Sequence, residues 1–161
     1  MSEEVQVKYS DLGSRHRDAM LDLVLVWASI DGALSMLLAN VRSQRWTDAA
    51  NEIRKLRGSA KLAEVIKAIK ALNDGDEAAK KLRQIKKRYE RYSLLRDHIA
   101  HSKCVGVDRS RPESIVFLTF ERVNAEELAV YEVPVGDFEE ATKWGNDFVE
   151  LLFHWTRNRE E

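Results

Sequence analysis

Leu23, Trp27, Ile30, Leu34, Leu37, Leu38 and Val41 recur every three or four residues and predict a helix from about Ser14 to Asn40 with one apolar stripe. A shorter helix follows from about Thr47, whose hydroxyl suits an N-cap, and Gly58-Ser59 interrupts it. Leu62, Val65, Ile66, Ile69 and Leu72 then mark the core face of a helix from about Ala60 to Leu72. Asn73-Asp74-Gly75-Asp76 reads as a turn and the next helix start. The fourth helix runs from about Glu77 to His101, its seam formed by Leu82, Ile85, Tyr89, Tyr92, Arg96 and Ile99.

After His101 the period changes. Residues 115–120 and 128–133 are rich in β-branched and aromatic side chains and predict two strands of a hairpin that turns near Asn124. Val105-Gly106-Val107 fits a short edge strand. Pro134 and Gly136 break the pattern before a last helix, Asp137 to about Arg157, with Phe138, Ala141, Trp144, Phe148, Leu151, Leu152 and Trp155 facing the core. The pattern predicts a mainly α fold: an antiparallel four- or five-helix bundle with a small β-hairpin, at about 104–134, before the last helix. Residues 1–161 read as a single domain with the first twelve flexible.

Composition narrows the class. Charged residues are 33% and apolar ones 44%, with only two prolines and seven glycines, which favours helix. The one cysteine, Cys104, gives no internal disulfide and fits a buried small residue better than a nucleophile. The longest apolar run, Leu23 to Ile30, is too short to cross a bilayer, and Met1-Ser2-Glu3-Glu4 lacks the parts of a secretory signal. These features lead us to expect a cytoplasmic protein without a membrane partner. The net charge of −1 is unevenly spread: residues 80–111 hold eleven Lys or Arg against three acids, while the remainder carries −9. That stripe is either a solvated helix face or a phosphate-binding surface.

One short segment carries chemistry. Arg96-Asp97-His98-Ile99-Ala100-His101 reads Arg-x4-His at the end of the basic helix. An arginine clamps phosphate through paired hydrogen bonds, and a histidine moves a proton near neutral pH. Asp97 and His101 are four apart and stack on one face, so the carboxylate is placed to hold the ring. Arg96 falls on the apolar seam, where a charge needs a partner or a function. Arg96 and His101, five apart, converge on one phosphate only if the helix end distorts or a second protomer contributes. Lys87, Arg91 and Lys103 are candidates for neighbouring phosphates. No zinc-ligand spacing, phosphate loop, dinucleotide fingerprint or nucleophile elbow occurs, so no metal or cofactor is expected. His98 reads as polar surface, and His16 and His154 as isolated. The four tryptophans read mostly as core, with Trp46 between helices and open to an interface role.

The segment Leu95-Arg96-Asp97-His98-Ile99-Ala100-His101-Ser102 resembles the Arg-polar-x3-His motif of the HEPN superfamily, which lies at the end of a long bundle helix. The Trp27-to-Leu38 stretch and Lys61-Leu62-x3-Ile66 also resemble bundle helices of standalone HEPN-like proteins. The resemblance implies an antiparallel bundle that usually dimerises. It implies a metal-independent endoribonuclease, toxin or defence effector, with Arg96, Asp97 and His101 as catalytic residues and RNA as substrate. It also admits a class without catalysis: a dimeric interaction or nucleotide-binding module whose partner is an antitoxin or a nucleotidyltransferase.

Overall fold

The computed structural model describes residues 8–71, 75–120 and 128–157. Among these the chain is mainly helical, with five helices and a four-stranded antiparallel sheet. The helices are α1 (Ser14–Val41), α2 (Trp46–Ile53), α3 (Gly58–Lys70), α4 (Asp76–His101) and α5 (Val135–Arg157). The strands are β1 (Tyr9–Ser10), β2 (Lys103–Asp108), β3 (Ser114–Phe120) and β4 (Leu128–Pro134). Contacts divide the chain into two compact units: Met1–Val24 with Ser93–Lys143, and Leu25–Tyr92 with Trp144–Glu161.

The first unit holds the sheet, in the order β1-β2-β3-β4. β3 and β4 pair along their whole length, with Phe117 opposite Tyr131. The expected edge strand at 105–107 is in fact interior. Tyr9 and Ser10 pair with Asp108 and Val107, so β1 takes the edge, from within a segment expected to be flexible. Two residues are too few to show alternation, which is why the sequence pattern misses β1. Gly106 makes this pairing possible. Its φ is +128°, and a Cβ there would sit 2.2 Å from the Ser10 carbonyl oxygen. Ile115, Val116, Phe117, Val133, Phe138 and Ala141 are buried, with Phe117 and Phe138 centroids 6.2 Å apart. Arg15 at the start of α1 reaches Glu139 at 2.8 Å and Glu113 at 2.6 Å. His16 is not isolated: Gly13 N–H donates to its Nδ1, and its Nε2 lies 2.8 Å from the Pro112 carbonyl oxygen. Those two partners fix the Nε2–H tautomer and pin the start of α1 to the β2–β3 connection. The expected turn near Asn124 lies outside the described residues.

The second unit is built around the predicted stripes. Ile30, Leu34, Leu37, Leu38, Leu62 and Val65 are fully buried, so truncating any one of them to alanine costs about 2–5 kcal/mol. Leu72 lies outside the described residues. Trp27 stacks on Tyr89 with centroids 5.5 Å apart, and Trp144 packs on Tyr92 at 5.4 Å and on Phe148 at 5.2 Å. Gly145 admits Val26 so closely that an added Cβ would meet its methyls at 3.0 Å. Gly58 opens α3 rather than interrupting a helix, and a Cβ there would strike the Tyr89 hydroxyl at 2.0 Å. Thr47 is not the N-cap of α2; Arg45 holds that position without a side-chain bond, and Thr47 lies in the first turn. At the end of α1, Ser43 takes φ 52°, with Ser43 N–H donating to Asn40 O and Gln44 N–H to Ala39 O. That is a Schellman closure with serine where glycine is usual. Lys61 is buried and bonded at 2.6 Å to Asp31, whose carboxylate is half exposed.

By length and composition α1 is apolar enough to cross a membrane, although no unbroken run within it is. Half of that apolar window is buried inside the protein, as in a core helix.

Candidate functional site

α4 forms because residues 76–101 contain no Gly or Pro, and because Asp76 and Glu77 complement the positive end of its macrodipole. It stays regular to its end, with Ser102 N–H donating to His98 O at 3.1 Å. Of the two routes by which Arg96 and His101 could converge, a distorted helix end is therefore not present. Five steps of about 100° place two side chains roughly 140° apart around one helix.

The seam of α4 is buried at Ala79, Leu82, Tyr89 and Tyr92, and then opens. Arg96 is not core-facing: its side chain is 43% exposed and donates to Asp97 Oδ1 at 2.9 Å. A long side chain escapes to water more cheaply than it buries an unmatched charge. Asp97 consequently does not hold His101. The His101 ring is exposed and makes no hydrogen bond or ion pair among the described residues. Lys103, the first residue of β2, is exposed in the same unit. Lys87 and Arg91 are exposed on one face of the α4 segment in the other unit, with the Arg91 guanidinium 5.8 Å from the Tyr92 ring centroid.

His98, expected at the surface, is half buried. Its ring lies 4.6 Å from Tyr131 and 5.8 Å from Phe117, centroid to centroid. Burial holds its pKa below the usual histidine range, against the opposing pull of Asp97. Its partners come from β3 and β4, so no local pattern in α4 marks it. The Cys104 thiol is raised by burial, which makes it a poor nucleophile.

A second feature lies wholly within the other unit. A cavity of about 680 Å³ opens between α4 and α5, lined by Lys81, Gln84, Ile85, Arg88, Trp144 and Trp155 among others. It contains none of the Arg-x4-His residues. Trp144 and Trp155 were expected to be core; both are half exposed and face this cavity instead. Their eleven-residue spacing is the signal that puts them on one side of α5.

Comparison with protein-family models, with characterised proteins and with solved structures finds no match to this chain.

Proposed function

We propose that the protein is a HEPN-type, metal-independent endoribonuclease that works as a homodimer, its helices forming an antiparallel four- or five-helix bundle with the β3–β4 pair as a hairpin elaboration. The observation that carries this reading is the Arg96-x4-His101 pair at the end of a regular basic helix, with the imidazole exposed and unengaged among the described residues. The RNA 2′-hydroxyl attacks the adjacent phosphorus, and the 5′-oxygen leaves. His101 takes the proton from the attacking hydroxyl or gives one to the leaving oxygen. Arg96 neutralises the charge that builds on the phosphorane oxygens. Asp97, bonded to Arg96, sets the guanidinium rather than the ring. Because one regular helix points Arg96 and His101 apart, a second copy supplies the complementary member of each Arg–His pair. Lys103 contacts a flanking phosphate; Lys87 and Arg91 bind phosphate along their own face of α4. The role is that of a cytoplasmic toxin or defence effector, with an antitoxin or nucleotidyltransferase as partner.

A second reading is favoured by the Asp97–Arg96 bond, which leaves His101 without the orienting carboxylate that general-base catalysis uses. In it the protein is a non-catalytic dimeric interaction or nucleotide-binding module. Incubating the pure protein with structured and unstructured RNA in EDTA separates the two. Cleavage that yields 2′,3′-cyclic phosphate ends and disappears in His101→Ala supports the nuclease. Intact RNA supports the module, and cleavage that appears only when magnesium is added rules out the metal-independent mechanism.

A further inference from the structure

The groove between α4 and α5 combines an open indole face, an uncompensated cation and a free amide. Trp155 makes no ring contact among the described residues, whereas Trp144 is already packed on Trp27, Tyr92 and Phe148. Trp144 is therefore a wall, and Trp155 is the side chain with a face to offer. Lys81 and Arg88, seven apart, line the opposite side from α4. Glu77 sits 3.2 Å from Lys81 and neutralises it. Arg88 has no hydrogen-bond or ion-pair partner among the described residues, and neither has Gln84, one turn before it.

We propose that this groove binds a nucleotide, its base stacked on Trp155 and its phosphate on Arg88, with Gln84 bonding the base edge. Each part matches one component of that ligand. An indole stacks on any base, because every base offers a π-face. A guanidinium is the side chain that meets phosphate bidentately. A carboxamide donates and accepts, as a base edge requires. A volume of about 680 Å³ admits a nucleotide with room for its sugar. An apolar helix is a poor occupant, since it would leave Arg88 and Gln84 covered and unpaired. A bare phosphate would leave Ile85 and Trp155 unused. A free nucleotide and one unit of a single strand present the same base and phosphate, and the two arms of the test separate them. This site is separate from the Arg96-x4-His101 pair and does not rest on its being catalytic.

The test is a fluorescence titration of the full chain with AMP and, in parallel, with a 2′-O-methylated pentanucleotide that cannot be cleaved by 2′-hydroxyl attack. The expected result is quenching of tryptophan emission, with affinity falling about tenfold or more in Arg88→Gln and in Trp155→Ala. Binding should weaken as salt rises. Saturation by AMP points to the free nucleotide, and saturation by the pentanucleotide alone points to the strand. Arg88 is exposed, so Arg88→Gln keeps the fold and decides the matter even if Trp155→Ala does not fold. No binding of either probe up to about 1 mM, or unchanged affinity in Arg88→Gln, overturns the proposal.

Discussion

His98 is the residue whose environment departs furthest from its sequence context. Nothing about its place in α4 distinguishes it from a solvent-facing polar residue; Phe117 and Tyr131 arrive from strands far along the chain. Its lowered pKa has a definite sign in stability. Below the unfolded histidine value of about 6.5 the unfolded chain takes a proton that folded His98 resists, so stability falls as pH drops through that value. Asp108 and Glu139 act elsewhere on the scale. Ser110 holds the first low and Arg15 the second, so their contributions persist above the ordinary carboxylate range and are lost only as pH falls below it. We expect His98→Phe to flatten the Tm profile between about pH 7.5 and 5.5. A profile as steep as wild type would contradict the assignment. Lys61 and Asp31 give a second residue-scale expectation. Asp31→Ala strands a buried ammonium and should cost about 1–3 kcal/mol, less than a fully enclosed pair because Asp31 is half exposed. Lys61→Met removes the charge with its need for a partner and should be close to neutral. Denaturant midpoints that reverse this order would show that the pair itself stabilises the fold. Lys61 was legible in the sequence only as part of a resemblance, because burial of a lysine depends on a carboxylate thirty residues away.

Among elements, what the sequence made legible was what repeats locally. The stripes of α1, α3 and α5 are visible as spacings of three and four, and the buried residues follow them. Three features needed long-range information. β1 has two residues and exists because Gly106 lets the Ser10 carbonyl approach. The start of α3 at Gly58 depends on Tyr89, which lies thirty-one positions later. The seam of α4 ends after Tyr92, although the three-and-four spacing continues through Arg96. The β1 argument is open to direct test. Gly106→Ala puts a side chain into a left-handed backbone position and against Ser10, at a cost of about 1–3 kcal/mol. Arg109 N–H donates to Lys8 O at 3.1 Å across the same junction, so its amide exchange should accelerate in the variant. Unchanged exchange at Arg109 would mean that β1 stays paired without help from the glycine.

At the scale of the whole molecule, a net charge of −1 conceals a basic α4, and that asymmetry is what the proposed nuclease would use to draw in an anionic substrate. Of the candidate site, the sequence made the residue types and their place at a helix end legible. It misjudged the pairing, because Asp97 has two neighbours to choose from, and the adjacent arginine wins it from a histidine one turn away. The regular end of α4 gives the reading its sharpest consequence. If Arg96 and His101 act from different chains, two crippled variants repair each other, since a mixed dimer contains one intact composite site. The decisive measurement is therefore RNA cleavage in EDTA by wild type, by Arg96→Ala, by His101→Ala and by a refolded mixture of the two variants. The account predicts cleavage by wild type, loss of about a hundredfold or more in each variant alone, and partial recovery in the mixture. Intact RNA with wild type, or cleavage undiminished in His101→Ala, would contradict it.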